Sequence, residues 1–160
     1  MDSKSRIKAR EATTEDAPGI HNLARELAET VGDGPPEESA VRARLEELLD
    51  KPGARVLVAE NEVGVVGVAS FWIKPDLAHG DIVVEVPMLV VTEDHRRSGV
   101  GRLLMEEVRN VASDNGAFQI ELVATRANVT AREFYRSLGF VEADVVSLEF
   151  VGSQEDPPEE

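Results

Sequence analysis

The stretch Arg96-Arg97-Ser98-Gly99-Val100-Gly101 lies between an apolar run, Val86-Pro87-Met88-Leu89-Val90-Val91, and a segment that places Val100, Leu103, Leu104, Val108 and Val111 on one helical stripe. The order predicts a strand, a glycine-rich turn and a helix N-terminus. Such a junction leaves the first helical amides without intrahelical acceptors at the positive end of the dipole, and its two glycines let an anion approach the main chain. Arg96, Arg97 and Arg102 add three cations within seven residues, although the chain carries 17 basic against 31 acidic side chains and a formal charge of −14. Local cation density against the global sign points to a bound polyanion carrying phosphate.

Two familiar phosphate motifs do not fit. A dinucleotide fingerprint needs a third glycine where Leu104 stands, and a Walker loop needs Gly-Lys-Ser/Thr, which is absent. Arg-x-x-Gly-x-Gly after a strand instead resembles the acetyl-CoA pyrophosphate loop of the GCN5-related N-acetyltransferase (GNAT) superfamily. The superfamily's later signature, an Asn, a short helix and Leu-Gly-Phe, is matched by Asn128-Val129-Thr130-Ala131-Arg132-Glu133-Phe134-Tyr135-Arg136-Ser137-Leu138-Gly139-Phe140. The resemblance covers roughly residues 6 to 150 and is strongest between 81 and 140.

Length and composition bound the rest. A chain of 160 residues suits one domain, taken as residues 1–152, followed by an acidic tail, 153–160, of disordered composition. Without that tail the charge is still about −10. The absence of cysteine excludes disulfides and thiol catalysis. The first residues lead into no apolar signal region and no apolar run reaches spanning length, so a soluble cytoplasmic protein with no membrane partner is expected. The acidic balance, with one Trp, one Tyr and five Phe, argues against nucleic acid. The three histidines show no metal-ligand spacing, and no metal is expected.

Periodicity predicts a strand at 6–12, a helix carrying Ile20, Leu23, Leu27 and Val31, and a second helix carrying Val41, Leu45, Leu48 and Leu49. Strands at 55–60 and 63–73 form a hairpin by pattern, a loop spans 74–80, and a long strand spans 81–91. After the helix from Gly99 to about Asn115-Gly116 come a strand at 118–124, a helix at 129–137 and a last strand at 140–151. The resemblance implies an α/β (α+β) fold: a mixed, mostly antiparallel central sheet of six to seven strands, splayed central strands, and about four flanking helices. Pro87 cannot donate a ladder hydrogen bond, and its run is too apolar for an edge, so a bulge is expected there rather than an edge strand.

The resemblance also implies roles. Arg96, Arg97, Ser98, Gly99, Val100, Gly101 and Arg102 would hold the pyrophosphate of acetyl-CoA, the implied co-substrate. Leu89, Val90 and Val91 would line the acetyl and pantetheine arm, with the Leu89 and Val91 amides as an oxyanion hole. Asn128 and Ala131 would contact the arm, although Asn128 also suits an N-cap. Tyr135 would protonate the departing thiolate, its alternative being core packing beside Phe134. Glu85 stands where a lysine-acetylating branch has its base. Enclosure among Ile82, Val83, Val84 and Val86 would strengthen it as a base, while exposure on a half-buried strand would make it an ordinary surface residue. Asp81, His79 and His95 are fallbacks.

The expected function is acetyl transfer to a small-molecule amine, a lysine or an N-terminal amine in a ternary complex. The alternative is a non-catalytic acyl-CoA-binding module, and a homodimer is left open. Acceptor specificity is expected on residues 15–50 and 74–81, where Asp33, Glu37, Glu38, Asp76 and Asp81 would suit a cationic amine.

Overall fold

A computed structural model describes residues 6–150 and Gly152. The expected tail therefore lies outside the described residues, as does Val151 at the end of the expected last strand. Five strands, β1 (Lys8–Glu11), β2 (Ala54–Glu60), β3 (Val65–Asp76), β4 (Asp81–Val91) and β5 (Gln119–Glu121), form one sheet in sequence order. The first four pair antiparallel and β5 joins β4 in parallel. The helices are α1 (Ala17–Val31), α2 (Glu38–Leu49), α3 (Val100–Asp114) and α4 (Val129–Ser137).

Alternation along the strands divides the core between the two faces of the sheet. Leu57, Ala69, Phe71, Val84, Val86 and Leu89 pack with Val100, Leu104, Met105 and Val108 of α3. On the opposite face, Val56, Val58, Val68 and Val90 pack with Ile20 and Leu23 of α1 and Leu45 of α2. Of the expected stripe on α3, Val100, Leu104 and Val108 are buried. Leu103 and Val111 are half-buried, because Met105 and Ala112 share the inner face. At Gly67 of β3 an added Cβ would meet Val100 Cγ1 at 2.9 Å and Leu104 Cδ1 at 3.0 Å, so a glycine lets the start of α3 lie close on the sheet.

The expected bulge is present. Ser70 pairs with Met88 and Trp72 with Glu85, so Val86 and Pro87 together oppose Phe71. Three expectations are corrected. The loop at 74–80 shrinks to a tight turn, because β3 continues through Lys74 and Pro75 to pair Asp76 with Asp81. The strand at 118–124 is confined to Gln119–Glu121. No strand forms at 140–150, where residues 141–150 are exposed, so the described sheet has five strands rather than six or seven. Among the described residues no helix is long and apolar enough to cross a membrane.

Candidate active site

β4 pairs with β5 only from Val83 to Glu85, while its pairing with β3 runs on to Val91. The bulge thus coincides with the point where β4 and β5 part, and the far half of β4 has an open edge. Which amides face that opening follows from the ladder. Thr92 N–H donates to Val66 of β3 at 2.9 Å, and alternate residues of an antiparallel strand turn to the same neighbour. Val90 therefore turns to β3, and its side chain is buried in the core against α1 and α2. Leu89 and Val91 present their amides to the opening.

The chain then turns through a short 3-10 segment (Glu93–His95) into α3. Arg97 and Gly99 both take left-handed backbone conformations, with φ of 64° and 89°. The amides of Arg97, Ser98 and Gly99 make no hydrogen bond among the described residues. Those of Val100, Gly101 and Arg102 precede the first intrahelical bond, Leu103 N–H to Gly99 O at 2.9 Å. A row of consecutive amides at this turn is thus left without acceptors among the described residues, the kind of donor set that binds anions. An added Cβ at Gly99 would meet nothing within 4 Å, so the space beside it is open. The turn is braced from within: Arg96 Nε donates to Val91 O at 3.1 Å, and Ser98 Oγ donates to His95 O. Asn61, in the turn between β2 and β3, holds His95 Nε2 at 3.1 Å.

Gly101 has a different task from Gly99. Its Cβ would lie 2.4 Å from Phe134 Cζ, so the glycine provides a seat for the Phe134 ring of α4. Arg102 reaches Ser137 O at 3.4 Å and Arg109 reaches Leu138 O at 2.5 Å. Two α3 arginines therefore satisfy carbonyls at the end of α4, where the helix dipole is negative. This lock between the helices was not visible in the sequence, because each contact spans 29 residues or more.

Tyr135 packs beside Phe134, with centroids 5.5 Å apart, and edge-on to Phe140 at 6.2 Å. Its hydroxyl has no hydrogen-bond partner among the described residues, and burial raises its pKa above the ordinary 10.0, so it stays protonated. Asn128 caps α4: its Oδ1 accepts the Ala131 amide at 3.1 Å, which occupies that amide within the chain and leaves the Asn128 Nδ2 donor. Glu85 is not enclosed by apolar side chains. It is 41% exposed and ion-paired with Lys74, a diagonal neighbour on β3. Of the fallback residues, His79 and Asp81 sit at the β3–β4 turn, while His95 lies in the 3-10 segment before α3, against Asn61. His79 Nδ1 lies 2.6 Å from Asp76 Oδ2, and that carboxylate raises the imidazole pKa, leaving less neutral base at physiological pH. No group of three His, Asp or Glu suited to a metal occurs among the described residues.

A family model described as an acetyltransferase (GNAT) domain matches residues 52–142. The IAA acetyltransferase of Azospirillum brasilense is 31% identical over 134 residues, 84% of this chain and 83% of that protein. Human N-acetyltransferase 8 is 29% identical over 92 residues, 58% of this chain, and the match spans only 40% of the human protein. Among solved structures, aminoglycoside N-acetyltransferase AAC(6')-Iy in complex with CoA superposes with a TM-score of 0.78 at 21% identity, covering 91% of this chain and 95% of that one. With its open β4 edge, its loop of free amides and these relatives, the chain belongs to the GNAT acetyltransferase family.

Proposed function

We propose that the protein moves an acetyl group from acetyl-CoA to a primary amine by direct attack in a ternary complex in the cytoplasm. The observation that carries this reading is the continuity of two donor sets: the open-edge amides of Leu89 and Val91 lead within a few residues into the free amides of Arg97 to Gly101. The second set, with Arg96, Arg97 and Arg102, would hold a pyrophosphate, and Gly99 leaves the space that group needs. Acetyl-CoA supplies an activated acyl carbon as a thioester. The Leu89 and Val91 amides donate to the acyl oxygen as negative charge develops on it. Tyr135, protonated and half-buried, gives its proton to the departing sulfur, and the Asn128 Nδ2 donor is available to the pantetheine arm. Glu85 receives the proton of the attacking amine, directly or through water, once Lys74 is displaced or shares the carboxylate.

Acidic side chains at Asp33, Glu37, Glu38, Asp76 and Asp81 favour a cationic acceptor. CoA release followed over a panel of polyamines, aminoglycosides and lysine peptides tests the reading. Amine-dependent release is the expected result, and tight CoA binding with no release in any amine would instead assign a non-catalytic acyl-CoA-binding module.

A further inference from the structure

Between the two donor sets lie residues 92–96, and a side chain from outside them fixes where that spacer begins. Oε1 of Glu26 in α1 accepts the Glu93 amide at 3.1 Å and the Thr92 hydroxyl at 3.2 Å. Thr92 is the N-cap of the 3-10 segment, a position where a threonine oxygen ordinarily accepts the free amides that follow. It does not do so here. Its hydroxyl donates instead to Glu26, 66 residues away, and that carboxylate takes the Glu93 amide in its place. Stability alone is a poor account of this contact. Glu26 is half-buried, it makes no ion pair among the described residues, and the segment it holds carries two further acids, Glu93 and Asp94. The spacer has other braces. Thr92 N–H is held by Val66 of β3, Asn61 holds His95, and Arg96 Nε returns to Val91 O. Glu26 is the brace that reaches it from α1, which packs on the sheet face opposite α3.

We propose that Glu26 is a positioning residue for the cofactor: through Thr92 and Glu93 it fixes the spacing between the Leu89 and Val91 amides and the amides of Arg97 to Gly101. This role rests on the acetyl-CoA site proposed above, and Glu26 acts in it through the main chain. A ligand that engages both donor sets at once gains from a spacing set in advance, because that ordering is complete before it binds. A ligand that engages one set gains nothing from it. Spacing and charge also differ in sign. As a bare negative charge beside the loop, Glu26 would repel a pyrophosphate, and its removal would tighten binding. As a brace, its removal weakens binding.

Calorimetry on the full chain with two ligands tests the proposal: CoA, which spans both donor sets, and ADP, which carries the pyrophosphate without the arm. Glu26→Ala should weaken CoA by roughly fivefold or more while ADP stays within about twofold of wild type. Surviving ADP binding also shows that the variant is folded. Glu26→Gln keeps an accepting Oε1 and loses only the charge, so it should bind CoA close to wild type. Unchanged CoA affinity in Glu26→Ala overturns the proposal. So does an equal loss for CoA and ADP, which would place the damage in the anion loop itself, and so does the same change in the Ala and Gln variants, the mark of charge. Binding is read without turnover, so a failure to acetylate any amine does not imitate a failure here. A wild-type protein that binds no CoA overturns the proposed cofactor site and this role together.

Discussion

Gly99 combines a left-handed φ of 89° with open space beside its α-carbon, and both properties bear on what a side chain would do there. Gly99→Val would strain the backbone by about 1–2 kcal/mol. It would also fill the space assigned to the pyrophosphate, so CoA affinity in calorimetry should fall at least tenfold, about 1.4 kcal/mol. Unchanged affinity in a folded variant would remove the loop from the cofactor site. Tyr135 gives two readouts, because it is the only tyrosine in the chain. Burial favours the neutral phenol, so the tyrosinate absorbance at 295 nm should titrate with a midpoint above 10.0 in the folded protein and return to the ordinary value on denaturation. The stability that burial of the neutral phenol contributes is present below pH 10 and lost as pH rises through the folded midpoint. As the proposed acid, Tyr135→Phe should lower kcat by roughly 10²–10⁴-fold with little change in acetyl-CoA binding. A loss under threefold would leave Tyr135 as a packing residue.

Helices α3 and α4 meet where Gly101 seats Phe134, so the end of the anion loop and the helix carrying Tyr135 share one contact. Gly101→Ala forces the ring aside, because a Cβ 2.4 Å from Cζ cannot be accommodated in place. Overpacking of this kind costs about 1–3 kcal/mol, read as a lower thermal midpoint, and kcat should fall as Tyr135 moves with α4. A variant with wild-type midpoint and kcat would show that α4 yields freely. Such contacts separate what the sequence discloses from what it hides. The strand, turn and helix around Gly99 and the bulge at Pro87 were legible because glycine and proline act on their own backbone. Gly101 was read as a place for an anion, and its neighbour lies 33 positions away. Likewise, the apolar neighbours of Glu85 in sequence suggested enclosure, whereas the pleat sets it toward Lys74 on the adjacent strand. The last strand failed for a related reason: its pattern is strand-like, but a strand needs a partner edge, which no local pattern specifies.

Across the molecule, one charged network ties β1 to β2 and to the turn before α1. Arg10 meets buried Asp16 through two bonds of 2.8 Å and Glu60 through bonds of 2.9 and 3.0 Å, and Asp16 also accepts the Thr13 amide at 2.8 Å. The Arg10 hydrogen bonds hold both carboxyls below their ordinary values of 3.8 and 4.5. The stability they provide is present above those values and lost as pH falls through the lower folded ones. Asp16→Asn should destabilise the fold by about 2 kcal/mol near neutral pH, and the gap from wild type in denaturant midpoint should narrow below about pH 4. A gap that stays constant into acid would assign the loss to packing. Arg97 raises the opposite question of why stability is forgone, since it is the one non-glycine residue with positive φ among those described. Holding Arg there costs about 1–2 kcal/mol, and glycine would recover roughly 0.5 kcal/mol after its own greater entropy loss. Arg97→Gly should therefore melt slightly higher and bind CoA more weakly, a divergence that calorimetry of both processes would reveal. The folded chain thus stops short of its own thermal optimum at a single arginine, where conformational tension is exchanged for a positive charge at the mouth of a helix.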